Sequence, residues 1–115
     1  MIIETLLALA LVQTPVNVKN PRTVEFTCED HATDDQHELD IVRTSDNVVI
    51  QTLALGDPVA GPGGVIAATI NVQPVAFGTY YVRVRAVAGT LKSDNSSNSN
   101  LFDRVPGSPA SVIVK

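Results

Sequence analysis

The sequence is poor in cysteine, in aromatic residues and in positive charge. Its 115 residues include one cysteine, Cys28, no tryptophan, and five phenylalanine or tyrosine residues in total. A lone cysteine excludes an intramolecular disulfide, and with it a disulfide-dependent secreted scaffold. Because large rings are scarce, the core has to be built from Val, Ile, Leu and Ala, whose β-branched members favour strands.

The charge balance argues against nucleic acid as a partner. Eight Lys and Arg residues stand against twelve Asp and Glu residues, which gives a formal net charge of −4. Phosphate binding needs a basic footprint, and the basic residues here are scattered along the chain. With 44% hydrophobic and 17% charged residues, the composition is instead that of one packed domain.

Apolar residues alternate with polar ones through most of the chain after residue 14, which predicts strands separated by turns. Thr23–Cys28 and Tyr80–Ala86 alternate most regularly, and Thr44–Asn47 predicts a tight turn. The polar run Ser93–Asn100 predicts a loop, and Ala110–Val114 predicts a final strand.

This pattern predicts an all-β chain. We expect an antiparallel two-sheet β-sandwich of about seven strands over residues 15–115, preceded by an apolar N-terminal arm over residues 1–14. A closed barrel is the structural alternative.

The N-terminal arm is the least typical segment of such a domain. Glu4 stands where a signal peptide has a basic residue, and no small-x-small cleavage site follows, so we expect no cleaved signal peptide. The apolar run Leu6–Val12 has seven residues, too few to cross a bilayer. We expect Met1–Val12 to pack on its own sheet or insert into a neighbouring subunit, with binding to a membrane surface ranked third. Its candidate contact residues are Ile2, Ile3, Leu6, Leu7, Leu9 and Leu11.

The segment Gly78–Val87, with Gly-Thr followed by Tyr-Tyr-Val-Arg-Val-Arg-Ala, resembles strand F of a fibronectin type III domain. Thr23–Cys28 is similar to strand B of that family and Leu39–Ile41 to strand C. Cys28 also falls where immunoglobulin domains carry their strand-B cysteine. The resemblance implies a fibronectin III-like or immunoglobulin-like β-sandwich. It also implies that Tyr80 is a corner tyrosine whose hydroxyl bonds to nearby backbone.

One loop concentrates the residue types that bind metals. Asp30, Asp34 and Asp35 offer oxygen ligands for Ca²⁺, and His31 and His37 offer nitrogen ligands for a transition metal. Their spacing matches no metal-binding loop. We therefore interpret the segment as a solvated connection and expect neither a metal nor a cofactor.

Two further features suggest chemistry but are better explained by structure. Cys28 next to two histidines suggests a thiol nucleophile, yet it shares the inward face of its strand with Val24 and Phe26, as an inert core cysteine does. Tyr81, Arg83 and Arg85 form the outward stripe of the Tyr80 strand and are candidate contact residues. Such a stripe is more often paired with acidic residues across the strand.

We therefore predict a non-enzymatic structural or adhesion module that acts by protein–protein contact in a larger assembly. A virion decoration or tail component and a surface module both fit, at the virion or the cell surface. The expected partners are other proteins or further copies of the chain, through Met1–Val12. The alternative is a carbohydrate- or ligand-binding module, for which Tyr81 and Phe102 are the candidate stacking rings.

Overall fold

The computed structural model describes residues 16–28 and 36–115. The predicted arm over residues 1–14, with its candidate contact residues, lies outside this part of the chain. The same holds for the candidate ligands Asp30, Asp34 and Asp35, so both hypotheses stay predictions.

The described residues form an all-β structure of eight strands and one short 3₁₀ turn, Pro62–Gly64. The strands are β1 Val18–Lys19, β2 Thr23–Thr27, β3 Gln36–Arg43, β4 Val48–Gly56, β5 Val65–Thr69, β6 Gly78–Ala88, β7 Leu91–Lys92 and β8 Phe102–Arg104.

The strands belong to two sheets. The larger sheet has six strands in the order β1-β8-β6-β3-β4, with β7 also paired to β6, and the smaller sheet consists of β2 and β5. The pairing is not purely antiparallel as predicted, because β1 runs parallel to β8 with Val18 opposite Phe102. Asn20 extends this pairing through its side chain, since its Oδ1 accepts from the amide of Val105 at 3.0 Å and its Nδ2 donates to the Val105 carbonyl at 3.0 Å.

Alternation places the core on one face of the larger sheet. Leu39 and Ile41 from β3 pack there with Val82 and Val84 from β6, and all four are buried. The smaller sheet contacts this cluster through Val24 and Phe26 of β2, which confirms the inward face predicted for that strand. Burying these apolar side chains contributes hydrophobic free energy to the fold.

Tyr80 fixes the entry of the chain into β6. Its hydroxyl donates to the carbonyl of Ala76 at 2.8 Å, a bond to nearby backbone of the kind that the resemblance to strand F implies, and its ring lies 5.5 Å from that of Phe102. A Cβ atom on Gly78 would lie 3.3 Å from the Tyr80 hydroxyl oxygen, and Gly78 has a φ of +157°. Glycine is therefore required where the chain bends beneath the tyrosine ring.

The polar run after β7 lies along the edge of β6, between the residues that pair with β7 and those that pair with β8. Ser93, Ser96 and Ser99 each donate their backbone N–H to a β6 carbonyl, at 3.0, 2.8 and 2.9 Å. Each hydroxyl also accepts from the amide of the same β6 residue, at 2.9 Å in all three pairs. The β6 partners, in the same order, are Ala86, Val84 and Val82. We call these three serines the serine ladder and Ser93–Asn100 the ladder segment. Ser93–Asn100 belongs to no strand or helix, as predicted, but these three serines attach it to the sheet.

The C-terminal residues do not form the predicted final strand. Within the described chain, Ala110–Val114 belongs to no sheet, and strand pairing beyond the serine ladder is made by β8 instead. Pro106 and Pro109 follow β8 closely and lack the N–H that strand pairing needs. The segment is rich in β-branched residues, but it has no strand partner among residues 16–28 and 36–115.

Candidate contact surfaces

The face of the larger sheet opposite the core carries a cross-strand ladder of charges. In the β3–β6 register, Glu38 lies opposite Arg85 and Asp40 opposite Arg83. The next pair on this face is Val42 and Tyr81. We call this set the charged face. It contains the three residues Tyr81, Arg83 and Arg85 predicted as an outward stripe.

Asp40 is the buried centre of the charged face. Its side chain is 5% exposed, and its Oδ1 accepts a hydrogen bond from the Thr52 hydroxyl at 2.7 Å. Arg83 Nε lies 3.5 Å from Asp40 Oδ2, and Arg85 Nη2 lies 3.8 Å from Asp40 Oδ1. A buried carboxylate needs such partners, because an uncompensated charge in this position is costly.

Glu38 joins the charged face to the start of the serine ladder. Its Oε1 accepts from Arg85 Nε and from Lys92 Nζ, the latter at 2.9 Å. The hydrogen bonds from Lys92 and then Arg85 lower the pKa of Glu38 below its usual value. Lys92 lies directly before Ser93, so this ion pair fastens the beginning of the ladder segment.

Tyr81 is enclosed and not freely exposed. The residue is 8% exposed, its neighbour Val42 is fully buried, and its hydroxyl donates to Asn47 Oδ1 at 3.3 Å. The side chains of Arg83 and Arg85 keep 28% and 24% of their surface exposed. Arg83 pairs with Asp40 and Arg85 with Glu38 on the neighbouring strand. Such pairing explains an outward stripe of arginines without any binding partner. Partner contact through these residues stays a prediction.

A second surface is formed by the segment after β8. We call Ala110–Val114 the terminal segment. Val112, Ile113 and Val114 are 81%, 77% and 92% exposed. No backbone hydrogen bond joins residues 106–115 to other described residues. Three consecutive exposed apolar side chains form a contiguous patch, and contiguous exposed apolar patches mark interaction sites in soluble proteins.

Cys28 and His37 border one shallow pocket, which also includes Phe26. His37 is 2% exposed, with Nδ1 3.3 Å from the Gly56 carbonyl and its ring 5.2 Å from that of Phe26. Cys28 is half-buried, as its inward position in the alternation indicates. In residues 16–28 and 36–115, no group of three or more His, Cys, Asp or Glu side chains is placed to hold a metal.

The rings expected to stack on a sugar are both buried. Phe102 belongs to the core and Tyr81 to the charged face. The exposed ring is Phe77, at 63%, with the guanidinium of Arg104 5.2 Å from its centre. Sequence reasoning did not single out Phe77, because it lies between strands and outside any alternating run.

Comparison with known proteins gives no relative. No family model, curated protein or solved structure matches this chain. Within the described residues, none of the secondary structure is a helix with the length and apolar character needed to cross a membrane.

Proposed function

We propose that this chain is a non-enzymatic structural or adhesion module, a fibronectin III-like or immunoglobulin-like β-sandwich, that acts by protein–protein contact in a larger assembly. The sheet order supports this architecture, since β4-β3-β6-β8 corresponds to strands C′, C, F and G of such domains. The bond from Tyr80 to Ala76 corresponds to their tyrosine corner. A virion component or a surface module is the setting that we propose.

The observation that carries the proposal is the exposure of the terminal segment. Its apolar side chains lie outside the core and are exposed to water. Burying them against a partner would therefore contribute hydrophobic free energy that the single molecule does not gain. An extended apolar segment gains most by adding to the edge of a sheet, where main-chain hydrogen bonds supply affinity and side chains supply specificity.

A suitable edge is present on the same molecule. β4 has nine residues and, among the described strands, pairs only with β3. Val48 and Val49 on this strand are 46% and 39% exposed. One molecule therefore carries both the exposed terminal segment and a strand edge with no partner on one side among the described strands. We propose that the terminal segment of one copy adds to β4 of the next. A head-to-tail contact of this kind builds rings or filaments.

The test is sedimentation of the full chain over a range of concentrations. We expect self-association that Val112→Asp/Val114→Asp abolishes, because charges in a buried strand interface are strongly unfavourable. Ser97→Asp/Asn98→Asp adds the same charge on an exposed part of the ladder segment and is the matched control. Association that both variants reduce equally, or a monomer at every concentration, would contradict the proposal.

The carbohydrate-binding alternative has less support. Sugar platforms depend on several exposed rings, and Phe77 is the one aromatic residue above one-third exposure in the described chain.

A further inference from the structure

The five arginines of the chain divide into two groups. Arg43, Arg83 and Arg85 each form an ion pair with a carboxylate, from Asp46, Asp40 and Glu38 respectively. The other two, Arg22 and Arg104, form no ion pair with any described residue. Both line the same surface pocket, of about 410 Å³. In a chain of net charge −4, the two arginines without a carboxylate partner among the described residues therefore line one pocket.

Arg104 is held rigidly at this pocket. Its Nε donates to the Val72 carbonyl at 3.0 Å and its Nη2 to the Gln73 carbonyl at 3.2 Å. Its Nη1 donates to Asn20 Oδ1 at 3.1 Å and to the Val105 carbonyl at 2.8 Å. Four of its five N–H groups are thus used by neutral acceptors, and the guanidinium also lies 5.2 Å from the centre of the Phe77 ring, so no anionic group among the described residues balances its charge.

Arg22 supplies the adaptable side of the pocket. Its side chain is exposed and makes no hydrogen bond or ion pair with the described residues. The remaining polar lining is neutral, with Thr69, Asn71 and Gln73, and no described carboxylate lines the site. Asp103, next to Arg104 in sequence, already accepts from Asn17 and Thr79.

We propose that this arginine pocket binds an oxyanion group, a carboxylate or a phosphate, of a small ligand. Arg22, which has all its N–H groups unused among the described residues, can bind such an anion through paired, charge-assisted hydrogen bonds, and Arg104 adds its one remaining N–H and its charge. A volume of about 410 Å³ is sufficient for a small organic anion. The buried side chains of Ile70 and Val72 give the site an apolar part beside its charged groups. This inference is independent of the contact function proposed for the terminal segment.

The test is an NMR titration of the full chain with inorganic phosphate and, separately, with malonate. We expect saturable shifts confined to the signals of Arg22, Thr69–Gln73 and Arg104. A response to phosphate alone assigns a phosphoryl group, a response to malonate alone assigns a carboxylate, and a response to both assigns a general oxyanion site. Sodium chloride at equal ionic strength controls for charge screening.

Three variants sharpen the result. Arg22→Gln is expected to weaken binding at least about tenfold, and it should keep a native spectrum because the side chain has no described bond to lose. Arg22→Lys keeps the charge but not the planar fork and should bind with intermediate affinity. Arg43→Gln removes an arginine that pairs with Asp46 and should leave the affinity unchanged.

Three outcomes would overturn the proposal. They are the lack of any saturable shift with either anion, shifts that sodium chloride reproduces, and equal loss of binding in Arg22→Gln and Arg43→Gln.

Discussion

The serine ladder is bound to the sheet, and the terminal segment is not. Ser93–Asn100 is polar and rich in asparagine, yet three of its side chains bind along β6 as a strand would. Ala110–Val114 is mostly apolar and rich in β-branched residues, yet it belongs to no sheet in the described chain. Residue type shows which segments can form a strand. A strand forms only where the chain also provides an edge with the right hydrogen-bonding groups.

The serine ladder depends on a match between two repeats. Its serines recur every three residues, whereas their β6 partners recur every two. Two strand residues span about 6.7 Å, so three residues of the ladder segment cover that distance in a more contracted conformation. The hydroxyl then takes the place of the backbone carbonyl that a regular strand would offer to the β6 amide.

The largest effect is expected from removal of the ladder. In Ser93→Ala/Ser96→Ala/Ser99→Ala, three β6 amides lose their acceptor, and the free energy of unfolding should fall by about 3 kcal/mol, at about 1 kcal/mol per bond. Urea denaturation measures this loss. Ser97→Ala/Ser108→Ala, at two exposed positions, should change stability by less than about 0.5 kcal/mol. Equal stability of the two variants would mean that the ladder hydroxyls contribute nothing.

A smaller effect is expected from the ion pair at the start of the ladder. In the folded state the pKa of Glu38 lies below its ordinary value of 4.5, so the ionised form of Glu38 stabilises the fold. This contribution is complete above the pKa of the unfolded chain and is lost as the pH falls through the folded pKa. Wild-type protein should therefore lose more stability than Glu38→Gln between about pH 7 and pH 3.5, measured by urea denaturation.

Asp46 is the matched control for this prediction. Its pKa is lowered by Arg43, but the pair lies in the β3–β4 turn, away from the ladder. Amide hydrogen exchange at Ala86 should become faster in Glu38→Gln and remain unchanged in Asp46→Asn. Faster exchange in both variants would show that the coupling is not local to Lys92.

The smallest effect is expected in the terminal segment. Val112→Ser/Val114→Ser should alter the stability of the dilute monomer by less than about 0.5 kcal/mol, because the side chains it shortens are already in water. Thermal melting at low protein concentration measures this. A loss of 2 kcal/mol or more, of the order seen for a buried side chain, would show that the segment packs on its own domain.

Local chemistry was predictable and long-range pairing was not. The inward faces of β2 and β6 and the turn at Thr44–Asn47 follow from neighbouring residues, and the bond of Tyr80 to nearby backbone was implied by the resemblance to strand F. The parallel pairing of β1 with β8 joins residues more than eighty positions apart, and nothing in Val18–Lys19 specifies its direction.

The two candidate sites show the same limit. Spacing placed Tyr81, Arg83 and Arg85 on one face, but only the β3 register shows that Asp40 and Glu38 neutralise both arginines. Arg22 and Arg104 are distant in sequence and meet only through the fold. The serine ladder did carry a signal, since a three-residue repeat of serine is visible in the sequence.

That repeat constrains only one position in three. Between the ladder serines and after the last of them, Asp94, Asn95, Ser97, Asn98 and Asn100 all project into solvent. Selection can therefore change these five side chains freely while the sheet edge stays closed. The ladder segment is a natural site for diversification, and libraries that randomise it should yield folded variants far more often than libraries that include the serines.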